Sequence, residues 1–269
     1  MTHKPIFLEE FSRVLETIAY FENNPHVAVS LSGGADSLAL MCLLNQWVSL
    51  KSGKLIALIV DHQIRKGSGD ECKYVKKIAN SKKIDCRILT WSETKPKSRL
   101  MELARKKRYE LVVNYCTKNK ILHLMTGHHF DDKLETFYMR SSRKGNIVGL
   151  SSIPWIREEN YLRIMRPFLN FPKTRLIQTC KYFNYQWLVD PSNKNDKYER
   201  VKVRNKIEKF GKNKVEELIK KNNFYIKRRV MFEKKISKFF VSYLKFDLFG
   251  RFSMKQKDFV RLNDELKVE

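Results

Sequence analysis

Through its first two thirds the chain alternates short apolar runs with longer stretches whose apolar positions recur every three or four residues. Val27-Ala28-Val29-Ser30-Leu31 and Leu55-Ile56-Ala57-Leu58-Ile59-Val60 are apolar at both alternating sets of positions, as in parallel strands buried on two faces. Weaker runs over 84–91 and 121–126 predict a third and a fourth strand. Helical periodicity predicts helices over 37–50, 70–82, 99–117 and 131–140. A further amphipathic helix over 7–21 places Phe7, Phe11, Val14, Leu15 and Ile18 on one face. This alternation predicts an α/β fold built on a parallel sheet. After Gly149 the rhythm changes. Residues 163–167 read as a short strand stopped by Pro167, and Pro172 as the first position of a helix reaching 182. From Tyr198 onward the pattern predicts helices only, rich in Lys and Phe.

Three polar clusters follow predicted strands: 32–37, 61–65 and 127–132. Ligands of parallel sheets sit at the carboxyl ends of strands, so this shared placement predicts one site. In Ser32-Gly33-Gly34-Ala35-Asp36-Ser37 the glycines allow close backbone approach, and the amides opening the next helix suit a phosphate. Asp36 would repel that phosphate unless a hard cation lay between them, which implies Mg²⁺ beside a nucleotide. No Lys follows the glycines as in a Walker A loop, and a dinucleotide fingerprint would need a third glycine. In Asp61-His62-Gln63-Ile64-Arg65 the His can orient a base or phosphate and Arg65 can clamp an anion; an ordinary loop explains the same residues. His128-His129-Phe130-Asp131-Asp132, with Glu135 a turn later, exceeds what helix capping needs and predicts a second arm of the Mg²⁺–nucleotide site.

Charge changes the picture of partners. The 269 residues hold 54 Lys and Arg against 29 Asp and Glu, a net of +25. Residues 194–269 hold 23 basic and 11 acidic residues, nearly half of the excess. Such a field calls for a polyanion, and nucleic acid outranks a membrane surface. No apolar run approaches the length that spans a bilayer, and the opening decapeptide has no signal core. Five cysteines without a Cys-x-x-Cys pair predict core thiols in a reducing cytoplasm.

Taken in order, several segments resemble the tRNA(Ile)-lysidine synthetase family of PP-loop N-type ATP pyrophosphatases. They are the 32–37 loop, Val60–Arg65, Gly127-His128-His129-x-Asp131-Asp132-x-x-Glu135-Thr136, Arg166-Pro167 and Asp190-Pro191-Ser192-Asn193. Ala104-Arg105-x-x-Arg108-Tyr109 and Arg200-x-x-Val203-Arg204 resemble the family's basic helix and its Arg-rich close. After Arg140 the chain reads Arg143-Lys144-Gly145-Asn146 where the family has an Arg-Gly-Ser-Gly-like stretch.

The resemblance implies an adenine-nucleotide α-hydrolase-like (PP-loop) domain over 1–205, including the N-terminal helix. A small helical basic region over 206–269, expected to bind tRNA, would follow, with no further C-terminal domain. It implies ligation of free L-lysine to C2 of the wobble cytidine of a tRNA(Ile) precursor, through an adenylated intermediate, so that AUA is read in place of AUG. ATP and Mg²⁺ would be used, in the cytoplasm, and the family often forms homodimers. Ser32, Gly33, Gly34, Ala35, Asp36, Ser37, Asp61 and His62 would bind ATP, with Asp36 on Mg²⁺. Asp36, His128, Asp131, Asp132 and Glu135 would be catalytic. The acids would serve the metal or the lysine ammonium, and His128 or His129 would accept a proton or position the base. Arg65, Arg105, Arg108, Arg200 and Arg204 would contact tRNA or phosphate. The alternatives are a related PP-loop tRNA thiolase, a catalytically inactive tRNA-binding protein, and an ATP pyrophosphatase acting on metabolites.

Overall fold

The computed structural model describes residues 4–95, 98–143, 145–159, 161–189 and 199–260. The Asp190-Pro191-Ser192-Asn193 stretch and Lys144 lie outside the described residues. The chain divides into two units: 1–133 with 153–201, and 134–152 with 202–269.

The first unit carries a six-stranded sheet. In chain order its strands are β1 (His26–Ser30), β2 (Lys54–Asp61), β3 (Asp85–Thr90), β4 (His123–Met125), β5 (Ile156–Glu159) and β6 (Leu162–Met165), arranged β3-β2-β1-β4-β6-β5. All neighbours are parallel except β5, which runs antiparallel to β6. The alternation of the strands explains why both faces had to be apolar. Val27, Val29, Leu55, Ala57, Ile59, Met125 and Met165 enter one core, while Ala28, Ile56, Leu58, Leu124, Leu162 and Ile164 enter the other. The first core is closed by α1 (Leu8–Ile18), α2 (Ala35–Leu50), α3 (Ser68–Ser81) and α7 (Lys173–Tyr182). The second is closed by α4 (Leu100–Lys118) through Val112, Val113 and Cys116. The five cysteines are buried free thiols; burial pushes Cys72 and Cys86 up to about 11 and Cys116 and Cys180 up to about 12. Strand order turns between β1 and β4, and this switch point is where ligands enter such sheets.

The second unit contains the distal part of α5 (Phe130–Ser141), α6 (Ile147–Leu150), most of α8 (Glu199–Glu208), α9 (Lys212–Tyr243) and α10 (Gln256–Val260). Its 32-residue α9 is about 48 Å long at 1.5 Å per residue. Asn222 of α9 is buried and donates through Nδ2 to the Leu150 carbonyl at 3.2 Å. The Phe137 and Tyr225 rings lie 6.2 Å apart. The expectation of helices only beyond Tyr198 is corrected by a hairpin, β7 (Lys245–Phe246) with β8 (Phe252–Ser253). Two-residue strands carry no periodicity that a sequence can show. The helix expected to open at Pro172 begins one residue later: Pro172 is its N-cap, in extended conformation.

Candidate active site

The loop after β1 is shaped from within. Gly33 takes φ +82°, where a side chain is strained, and a Cβ there would lie 2.5 Å from Val75 Cγ2. The Gly33 carbonyl accepts from the Leu188 N–H at 2.9 Å. Ser37 is buried; its hydroxyl donates to the Gly34 carbonyl at 3.0 Å and accepts from the Ser32 N–H at 3.2 Å. Ser37 therefore folds the loop, while Ser32 stays exposed. Gly34 caps α2 in extended conformation, so Ala35 and Asp36 open that helix with their amides.

Gly127 brings the loop after β4 against this helix start. A Cβ on Gly127 would meet the Asp36 backbone at 3.1 Å and the Ser37 nitrogen at 3.2 Å. His129, 3% exposed, has Nε2 at 3.7 Å from Asp36 and 3.5 Å from Asp132, and Nδ1 at 3.3 Å from Asp131. Burial pulls the His129 pKa down, but the three carboxylates outweigh it and raise the net value. Asp132 accepts from the His129 N–H at 3.0 Å and from Arg200 Nη2 at 2.8 Å. Burial opposes its ionisation, yet the charges of His129 and Arg200 hold its pKa below the usual range. Asp131 accepts from the Lys173 N–H at 2.8 Å, which caps α7, and its pKa is also lowered: burial acts against the shift, His129 and the Lys173 amide for it.

His128 behaves in the opposite way. Burial, with Arg166, Arg105 and Arg200 nearby, drives its pKa down to about 3 against the pull of Asp132. Its Nδ1 lies 3.0 Å from the Thr126 hydroxyl, which donates to the Met165 carbonyl at 3.4 Å. A hydroxyl that gives its proton to that carbonyl accepts from Nδ1–H, the tautomer in which Nε2 is a lone-pair acceptor. The adjacent histidines thus differ: carboxylates favour the charged form of His129, whereas burial and nearby arginines favour the neutral form of His128.

Two cavities meet at the loop. One, about 350 Å³, is walled by Leu31, Ile59, Val60, Ile64, Val75 and Met101, with Asp61, His62 and Arg65 on its polar side. The other, about 230 Å³, is lined by Asp36, Arg105, Tyr109, His128, Asp132 and Arg200. Ser30, Ser32 and Arg108 line both. Asp61 Oδ1 accepts from the Gln63 N–H at 3.0 Å and the Ser68 hydroxyl at 2.8 Å, which fixes the turn after β2. Arg108 Nε donates to His62 Nε2 at 3.3 Å; burial and then the Arg108 charge lower His62 to about 4. Arg65 pairs with Glu71 at 2.6 Å.

The first unit therefore gathers Ser32–Ser37, Asp61, His62, Arg65, Arg105, Arg108, His128, Asp131, Asp132 and Arg200 around these cavities and the adjoining His129 cluster. Glu135 and Arg204 belong to the second unit. There Glu135 is 3% exposed, and Arg204 grips it with Nε–Oε1 at 2.7 Å and Nη2–Oε2 at 3.3 Å. Sequence reasoning passed over Thr126, whose hydroxyl holds His128 Nδ1; its position directly before Gly127 and His128 was the available signal.

Comparison with known proteins bears on this geometry. Residues 5–210 match the family described as the PP-loop domain. The chain is 39% identical over 215 residues to the tRNA(Ile)-lysidine synthase of Orientia tsutsugamushi (strain Boryong), covering 78% of this chain and 48% of that one. It is 40% identical over 185 residues to the tRNA(Ile)-lysidine synthase of Rickettsia akari (strain Hartford), covering 68% and 42%. The chain thus spans about half the length of the curated relatives it matches. Among solved structures, the U34-tRNA thiolase NcsA from Methanococcus maripaludis with its [4Fe-4S] cluster superposes with a TM-score of 0.69 at 19% identity, covering 81% of this chain and 77% of that one. That likeness concerns the fold.

Proposed function

This chain belongs to the PP-loop domain family, and we propose that it is an ATP-dependent ligase that joins free L-lysine to C2 of the wobble cytidine of a tRNA(Ile) precursor, yielding lysidine, AMP and pyrophosphate. The observation that carries the reading is the pair of cavities sharing Ser30, Ser32 and Arg108. The apolar one suits adenosine, and the polar one suits a base and an ammonium group. The loop between them lies where the α-phosphate would meet the cytidine. The PP-loop amides and Ser32 hold the departing pyrophosphate, which explains a phosphate loop without the Walker lysine. Asp36 offers one hard carboxylate at a helix start. Among the described residues no group of three or more His, Cys, Asp or Glu is arranged to hold a metal alone. The donors therefore fit a Mg²⁺ completed by phosphate oxygens, which when bound supplies charge neutralisation.

In the first half-reaction the cytidine O2 bonds to the α-phosphorus and the bond to the bridging oxygen of pyrophosphate breaks. Positioning and charge neutralisation carry this step. Arg108, held by His62, lines both cavities, which supports its role in neutralising charge at the transfer point. In the second, the lysine ε-amine attacks C2 and AMP departs with the O2 oxygen, its phosphate taking the amine proton. A histidine with a pKa of about 3 is a poor general base, so His128 is assigned to positioning: its Nε2 accepts from the cytosine N4 amino group. Asp132, which lines the polar cavity, holds the lysine ε-amino group for attack. The basic helical region over 206–269 grips the tRNA, in the cytoplasm.

The test is AMP and pyrophosphate formation with each amino acid and total tRNA. The reading expects turnover to require lysine and tRNA together. Turnover with tRNA and a sulfur donor, but without lysine, would identify a thiolase. Turnover surviving RNase treatment would identify a metabolite enzyme.

A further inference from the structure

One cluster at the rim of the polar cavity has no part in the chemistry above. The Tyr109 ring, which lines that cavity, has the Arg105 guanidinium 5.5 Å from its centroid and the Arg157 guanidinium 5.3 Å away. Arg157 stands on the edge strand β5, opposite Ile164 of β6. The chain entering that strand is fastened by Arg166, itself 5% exposed. Arg166 Nη1 donates to the Pro154 carbonyl at 2.8 Å, and its backbone N–H donates to the Trp155 carbonyl at 2.9 Å. Its Nε is buried and makes no hydrogen bond. Among the described residues, the ion pair made by these three guanidiniums is that of Arg157 with Glu159. Three like charges around one phenol raise one another's energy, and an arriving anion relieves it.

We propose that Arg105, Arg157 and Tyr109, braced by Arg166, form a subsite for a phosphodiester of the RNA strand next to the nucleotide held in the polar cavity; this rests on the RNA-modifying function proposed above. The triphosphate already has a cradle at the start of α2. A free amino acid brings one carboxylate, which suits an enclosed pair of donors and not a rim. Here Arg105 is exposed and the Arg157 side chain is 47% exposed, which suits a backbone passing over the surface. Planar guanidiniums match phosphate oxygens two at a time, and an aromatic among arginines is a usual floor for single-stranded RNA. Arg166 is a positioning residue here, acting through Pro154 and β5.

The experiment compares the full chain with Arg157→Ala and Arg157→Lys, using an unmodified tRNA(Ile) transcript with a CAU anticodon, ATP and lysine. Arg157→Ala should raise the KM for tRNA about tenfold, with kcat falling less than about twofold and the KM for ATP unmoved. The slope of log(kcat/KM) for tRNA against log[salt] should become shallower by about 0.7, one phosphate contact on a single strand. Arg157→Lys keeps the charge and should keep the slope. An unchanged tRNA KM and slope in Arg157→Ala would overturn the subsite, as would a rise confined to the KM for lysine. If the wild-type chain itself shows no turnover that depends on tRNA and lysine, the proposed function fails instead, a different outcome.

Discussion

The Glu135–Arg204 pair makes the sharpest test of how this chain uses its acids. The carboxylate is 3% exposed and the guanidinium side chain 28%. Both oxygens are engaged, at 2.7 and 3.3 Å. Removing the arginine takes both of these bonds from a buried carboxylate, a loss of about 3–5 kcal/mol. Removing the glutamate leaves a guanidinium that can swing its head into water, so Glu135→Ala should cost about 1–2 kcal/mol. The double variant should cost no more than Arg204→Ala alone, giving a coupling of at least about 1 kcal/mol. For a chain of this size Arg204→Ala should lower the midpoint of thermal unfolding by about 10 °C. All four tryptophans, at 47, 91, 155 and 187, lie in the first unit, so circular dichroism at 222 nm is the probe for the helical second unit. The reasoning fails if each single variant melts within about 2 °C of wild type. It fails equally if Glu135→Gln melts normally yet abolishes pyrophosphate release, for then Glu135 touches the reaction instead of anchoring Arg204.

Three further outcomes follow from the first unit. Gly33→Ala forces an L side chain to φ +82°, which costs about 1–2 kcal/mol, and meets Val75; the KM for ATP should rise, and Val75→Ala should relieve only the steric part, so full rescue would refute the backbone argument. His62 has a folded pKa of about 4, below its ordinary 6.5, so the unfolded chain binds the extra proton in this range: stability should be fully present above about pH 6.5 and decline as pH falls towards 4. His62→Gln should flatten that decline in urea titrations at pH 7, 6 and 5, and an identical slope would refute the assignment. Asp36→Ala should abolish pyrophosphate release while filter-bound tRNA stays within about twofold; normal release would remove Asp36 from metal binding.

The sheet was legible where burial left a signature in the residues. β1 and β2 are apolar at odd and even positions because helices cover both faces. The site was legible because the polar residues Ser32 and His128 follow strands and Asp61 closes one, the ends where ligands of parallel sheets bind. β5 was not legible: Ile156-Arg157-Glu158-Glu159 is an edge strand whose charged residues face solvent, so its pairing comes from β6 and from Arg166 holding Pro154.

Side-chain chemistry was less legible than the strands, for a physical reason. His128 and His129 are neighbours in sequence, and nothing in their order tells which one is charged. The difference comes from partners brought in by other segments. Against burial, Asp131 and Asp132 in the following turn and Asp36 from α2 raise the His129 pKa, whereas burial first, and then Arg166 from the end of β6, Arg105 from α4 and Arg200 from α8, lower that of His128. A pKa is set by burial and by charges that meet only after folding, so a motif can identify the pair of histidines while the fold divides their work. The same holds for Arg157: its role depends on Tyr109, 48 residues earlier in the chain, and only the β5–β6 register places it there.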